Sequence, residues 1–207
     1  MSEHLEIEQK FDVDPGFERP PFAGLAGVSA DEPVLHHLSA TYFDTADGRL
    51  AASKITLRRR TGGTDEGWHL KLPAGSGARR EVHAPLGPAE RQVPEVLAAR
   101  VAEVTGGQPL ASIAILNTER TAVTLRGGDG RVVAEVADDL VTARRLSPGG
   151  EPSPEGRPAG QELRWREIEV ELPTADPSLQ RAAADVLLAA GARPAGHGSK
   201  LARVLDS

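Results

Sequence analysis

Glu167, Glu169 and Glu171 stand at alternate positions late in the chain, and Glu6, Glu8 and Lys10 do the same at its start. In extended backbone, successive side chains point to opposite faces, so each set shares one face. Such a row of carboxylates supplies the hard oxygen ligands that Mg2+ or Mn2+ takes. Arg58 with Arg60, and His69 with Lys71, alternate in the same way. Guanidinium grips phosphate by paired hydrogen bonds, and lysine acts as a point charge. Both sets together imply a metal-bridged polyphosphate. The chain has no Walker-type glycine loop, Rossmann fingerprint or His-Glu-x-x-His pair, so the usual alternative routes to phosphate or zinc are missing.

The opposite faces of the same segments are apolar: Leu5, Ile7 and Phe11; Ile55 and Leu57; Trp68, Leu70 and Leu72; Ile168, Val170 and Leu172. A sandwich that wets its charged faces would also alternate like this. Solvated faces normally mix signs, however, and like-signed rows repel unless an opposite charge lies between them. The rows therefore predict a sheet closed on itself, with the ionic side inward and the apolar side covered by helices. Parity and position give seven acids, Glu6, Glu8, Glu135, Asp138, Glu167, Glu169 and Glu171, and seven bases, Lys10, Arg58, Arg60, Lys71, Arg80, Arg120 and Lys200. Arg59 has exterior parity. His69 reads as a hydrogen-bonding structural residue, His36 and His37 as surface residues, Glu171 as a rim residue, and Tyr42 as a residue that bonds phosphate or simply packs.

The elements that must carry these residues are legible as alternating runs at 5–13, 38–44, 54–60, 67–73, 79–84, 114–125, 131–138 and 162–172. Helical periodicity predicts 94–104, ended by Gly106-Gly107, 177–190, ended by Gly191 and opened by Asp176-Pro177, and a short turn from Ser199. The stretch 15–35 reads as an irregular connection. Residues 147–161, SPGGEPSPEGRPAGQ, read as a mobile Pro/Gly-rich loop inside one domain spanning 1–207. Many strands with few helices predict an α+β domain built on an eight-stranded antiparallel β-barrel.

Composition narrows the function. Lys and Arg number 24 against 30 Asp and Glu, a net charge of −6, which argues against a non-specific nucleic-acid binder. Four Phe, two Trp and one Tyr supply few faces on which bases could stack. The absence of cysteine excludes disulfides, thiolate metal sites and a cysteine nucleophile. No run approaches the roughly 18 apolar residues of a membrane span, and a cytoplasmic, soluble protein is the expectation.

Glu6-Ile7-Glu8-Gln9-Lys10 resembles the ExExK signature of the CYTH superfamily, the triphosphate tunnel metalloenzymes. Tyr42-Phe43-Asp44-Thr45, Leu57-Arg58-Arg59-Arg60, Trp68-His69-Leu70-Lys71-Leu72-Pro73, Arg79-Arg80-Glu81, Glu135 with Asp138, Glu167-Ile168-Glu169-Val170-Glu171 and Ser199-Lys200 resemble further family motifs and follow in the family's order. The resemblance implies a tunnel barrel with Glu6, Glu8, Glu167 and Glu169 near Mg2+ or Mn2+, and with Lys10, Arg58, Arg60, Lys71, Arg80, Arg120 and Lys200 on phosphates. The family pattern favours Asp138 over Asp139, which requires a bulge between Glu135 and Asp138. The implied activity is metal-dependent hydrolysis of a terminal phosphate, with Glu6, Glu8, Lys10 and Glu169 catalytic. Tripolyphosphate is preferred over nucleoside or thiamine triphosphate because the expected lumen offers no aromatic ring except Tyr42. Cyclisation of ATP, as in class IV adenylate cyclases, and non-catalytic polyphosphate or nucleotide binding are the alternatives. Ser199-Lys200-Leu201-Ala202-Arg203-Val204 also resembles the junction that precedes a CHAD domain.

Overall fold

The computed structural model describes residues 1–22, 25, 27–75, 78–87, 92–146 and 162–207; the expected loop at 147–161 lies outside them. Its elements in chain order are β1 (Ser2–Val13), β2 (Val28–Ala30), β3 (Val34–Asp44), α1 (Arg49–Ala52), β4 (Thr56–Thr61), β5 (Gly67–Pro73), β6 (Arg79–Ala84), α2 (Glu95–Arg100), α3 (Ala102–Thr105), β7 (Ala111–Gly127), β8 (Val132–Arg145), β9 (Leu163–Leu172), α4 (Pro177–Ala189), β10 (Arg193–Pro194) and α5 (Lys200–Leu205). The helix expected over 94–104 is split, because Val101 leaves helical geometry at φ −114° and ψ 7°.

The strands run β1-β6-β5-β4-β3-β7-β8-β9, and β9 pairs back onto β1, which closes an eight-stranded antiparallel barrel. Closure divides β1 in two: Ser2 to Glu6 bond β6, while Ile7 to Val13 bond β9. Two short strands lie off the barrel, β2 on β7 and β10 on β1.

Apolar side chains cover the barrel in two outer patches. Under α4, Phe11, Val136, Ile168, Val170 and Leu172 pack on Ala183 and Leu187. Under α1, α2 and α3, Leu57, Trp68, Leu70 and Val82 pack on Leu50, Leu97 and Val101. The partition follows from parity, since each of these strand residues alternates with a charged neighbour that must point the other way. Asp44, buried at the end of β3, accepts hydrogen bonds from the backbone N–H groups of Thr45, Leu50 and Ala51 and so anchors α1.

A third apolar cluster lies inside the barrel. Ala40, Tyr42, Ala114, Leu116, Val141, Ala143 and Trp165 line one end, and α5 fills that end with Leu201 and Val204. Ser199 caps α5 by accepting a hydrogen bond from the Ala202 N–H at 3.1 Å. That cap fixes Lys200 at the first helical position, facing the charged part of the lumen. The expected tunnel is thus blind, stopped by α5.

Candidate functional site

The lumen is a cavity of about 500 Å3 that opens at the end opposite α5. Its mouth is formed by Ser2 and His4 of β1, His36 of β3, the β4–β5 loop with Asp65, His83 of β6, Val132 of β8 and Pro173 after β9. Glu6, Glu8, Lys10, Arg58, Arg60, Lys71, Arg120, Glu135, Glu169, Glu171 and Lys200 all line it. Glu167, 4% exposed, sits deeper, against Lys200. Most of the residues singled out by alternation therefore converge on one cavity.

Two of them do not. Arg80 has a side chain 59% exposed and pairs with Glu3 outside the barrel at 3.4 Å. It shares parity with Val82 and Ala84, which belong to the outer core. The inward residues of β6 are Arg79, Glu81 and His83, held opposite Pro73, Lys71 and His69 by the β5–β6 register. Asp138 likewise faces outward, onto Arg166 at 2.8 Å. The β8–β9 ladder runs without a bulge, pairing Glu135 with Glu171, Ala137 with Glu169 and Asp139 with Glu167. Asp139, fully buried, is the inward acid. His36, expected at the surface, lines the mouth. The assignment by parity and position chose Arg80, and the family-like spacing chose Asp138, each one residue away from the inward Arg79 and Asp139; the apolar neighbours Val82 and Val136 mark the outward parity.

The charges are sorted by wall. Carboxylates come mainly from the adjoining strands β8, β9 and β1: Glu135, Asp139, Glu167, Glu169, Glu171, Glu6 and Glu8. Cations come mainly from the remaining strands: Lys71 on β5 and Arg58 and Arg60 on β4 lie farther round the barrel, while Arg79 on β6 and Arg120 on β7 flank the acidic strands, in register with Glu6 and Asp139. Lys71 bridges the walls, pairing with Glu6 and lying 3.8 Å from Glu81. Lys10 pairs with Glu8 at 2.8 Å and with Glu169. Arg120 holds Asp139 through two bonds, at 2.8 and 2.6 Å, and reaches Glu169 at 2.7 Å. Arg58 donates to the Tyr42 hydroxyl at 3.3 Å; no carboxylate lies within ion-pairing distance of it among the described residues.

Asp139, Glu167 and Glu169 bring carboxylate oxygens within 4.8 Å of one another, spacing that suits a metal. The Lys200 ammonium already stands among them, at 2.8, 2.6 and 2.6 Å respectively. Nearer the mouth the balance reverses. Burial first, and then Glu6, Glu169 and Glu8, push the Glu171 carboxyl up to about 7 against the opposing pull of Lys71. One oxygen of buried Glu6 has no hydrogen-bond partner. The unpartnered oxygen of Glu6 and the carboxylates of Glu8 and Glu171 are hard oxygen donors that fit a divalent cation, beside the converging triad deeper in the lumen.

His69, 3% exposed, places Nδ1 2.6 Å from Glu81 and Nε2 2.9 Å from the Asp65 carbonyl. Burial lowers its pKa to about 4, with Arg58 and Arg60 adding to the shift and the Glu81 hydrogen bond opposing it. The Glu81 carboxyl stays well below the usual range: burial opposes this, but His69, Lys71 and Arg58 outweigh it.

A closed antiparallel barrel with a blind, charge-sorted lumen defines a narrow class of fold. The chain belongs to the CYTH domain family, whose model matches residues 4–203. It is 45% identical over 212 residues to the Mycobacterium tuberculosis proteins Rv2226 and MT2285, both named as uncharacterized; the alignment covers 99% of this chain and 40% of each relative's length. Among solved structures, a Bacillus halodurans protein named as a candidate adenylate cyclase has a TM-score of 0.65 at 20% identity, with 98% of each chain covered. The PH1819 protein of Pyrococcus horikoshii has a TM-score of 0.50 at 14% identity, covering 97% of this chain and 98% of that one. These two likenesses concern the fold. Among the described residues, no helix is long and apolar enough to cross a membrane.

Proposed function

We propose that this chain is a divalent-metal-dependent triphosphatase that hydrolyses the terminal phosphate of inorganic tripolyphosphate or a related triphosphate. The observation that carries the reading is the sorting of charge within one cavity, with carboxylates on β9 and β1 facing Arg58 and Arg60 of β4 across the lumen and Arg79 beside Glu6 on the neighbouring strand β6. A polyphosphate needs cations along its length, and its metal needs carboxylates beside it.

Glu6, Glu8 and Glu171 would hold Mg2+ or Mn2+. When bound, such an ion supplies charge neutralisation on phosphate oxygens and a water of lowered pKa. Arg58, Arg60, Lys71 and Arg79 bind and align the phosphates and stabilise charge that develops on the leaving group. Lys10, Arg120 and Lys200 keep the deep carboxylates neutralised, so the inner end stays electrostatically fixed while substrate enters and leaves. The blind end suits a compact anion. The reading retains a CHAD domain as a partner only on the resemblance of residues 199–204.

The test is orthophosphate release from tripolyphosphate, ATP and thiamine triphosphate side by side, with Mg2+, Mn2+ or EDTA. Metal-dependent release, fastest from tripolyphosphate, is the expected result. Cyclic AMP from ATP without orthophosphate from tripolyphosphate would replace hydrolysis by cyclisation. Tight tripolyphosphate binding without turnover under either metal would make the chain a binding module.

A further inference from the structure

Arg60 ends the cationic row on β4, and its partner is unusual for a residue so placed. Its side chain is 7% exposed, yet it pairs with Asp65, which is 54% exposed and sits on the β4–β5 loop at the lumen mouth. The root of that loop is pinned. Gly62 has φ +79°, and a Cβ there would lie 2.1 Å from the His37 carbonyl oxygen, so only glycine fits. Gly63 and Gly67 also have positive φ. Beyond the root, the Asp65 residue is held by two contacts, its carboxylate on Arg60 and its carbonyl on His69 Nε2. Both partners line the cavity.

We propose that Asp65 is a positioning and selectivity residue for the phosphate site: its carboxylate occupies Arg60 in place of a phosphate and is displaced when a polyphosphate enters. The inference rests on the functional reading above and deepens it. An anion has every reason to sit there. Arg60 lies buried beside the like-charged Arg58 and Arg120, and a facing anion relieves both the cost of that burial and the repulsion. Its Nε has no hydrogen-bond partner, so one carboxylate leaves donor capacity unused that phosphate oxygens would fill. An anion that touches Arg60 alone must break the clasp for little return. A chain that also engages Arg58 and Lys71 offsets the same loss with more contacts, which favours polyphosphate over single phosphate.

The test is calorimetric titration of tripolyphosphate, with Mg2+ present, in a common Glu8→Gln background chosen so that the ligand is not consumed. Asp65→Asn removes the competing charge at constant shape and is expected to bind about three- to fivefold tighter, the upper range for a displaced exposed ion pair. Asp65→Glu is expected to bind within about twofold of its parent. With Arg60→Ala added, the gain from Asp65→Asn is expected to vanish. Unchanged or weaker binding by Asp65→Asn, or an equal gain in the Arg60→Ala background, would overturn the clasp while leaving the phosphate site standing. No tripolyphosphate binding by the parent or by the chain with native Glu8 would overturn the functional reading, and the clasp with it.

Discussion

The Lys200 ammonium lies 2.8 Å from the carboxylate of Asp139, which is fully buried in the barrel wall. This contact ties α5 to β8 and explains why the blind end tolerates so many acids. The same ammonium serves Glu167 and Glu169, and Arg120 approaches Asp139 from β7. Removing one partner of such a buried set leaves uncompensated charge, a larger penalty than the pair's net contribution.

Lys200→Met should therefore destabilise the protein by about 3–5 kcal/mol, read as a lower urea midpoint. Adding Asp139→Asn should recover part of the loss, because one of the stranded charges is then gone. A Lys200→Met chain as stable as its parent would mean that the triad does not depend on this ammonium.

Glu8 and Arg58 stand for the two halves of the proposed chemistry. Glu8→Gln keeps shape while removing a carboxylate from the mouth-side group, so turnover should fall by a hundredfold or more with little change in melting temperature. Among the described residues Arg58 bonds only the Tyr42 hydroxyl, so Arg58→Ala should leave the fold intact. Loss of charged hydrogen bonds should then raise the dissociation constant for tripolyphosphate by about tenfold or more. Unchanged kinetics in both variants would be incompatible with this site.

Adjacent residues give a sharper test of orientation. Arg79 faces the lumen and Arg80 faces solvent, so Arg79→Ala should weaken tripolyphosphate binding several-fold while Arg80→Ala leaves it unchanged. Equal effects would mean that β6 contributes only a diffuse field, a distinction that repeating both titrations at raised salt would make visible.

These neighbouring pairs also mark how far the sequence was readable. Alternation recovered the barrel and its inward rows on β1, β4, β5 and β9, because in each the charged residues alternate with Leu, Ile, Val or Trp and one face must be buried. It failed at Arg79-Arg80 and Asp138-Asp139, where both parities carry a charge and the decision falls to apolar neighbours two residues away, Val82 and Val136. The blind end was less legible still. Leu201 and Val204 look like any short amphipathic turn, and nothing local says that their partners are Leu116, Val141 and Trp165, far off in sequence. Asp65 is invisible for the same reason: its partner Arg60 is chosen by the path of a glycine loop.

The Glu171 carboxyl predicts a pH dependence with a definite sign. Its pKa is raised from 4.5 to about 7 in the fold, by burial and then by Glu6, Glu169 and Glu8. Between those values the folded chain holds a proton that the unfolded chain has released. The stabilising contribution of that proton is complete below about pH 4.5 and is lost as pH rises through about 7. In metal-free protein, Glu171→Gln should thus be more stable than its parent at pH 8, by on the order of 2 kcal/mol, and indistinguishable from it near pH 4.5. Melting curves in EDTA across that range make the measurement. Divalent metal should erase the parent's deficit at pH 8 and leave the Gln variant less affected, since a cation beside Glu171 replaces the proton. A deficit that grew toward low pH, or a Gln variant equal to its parent throughout, would place Glu171 outside the crowded acidic group.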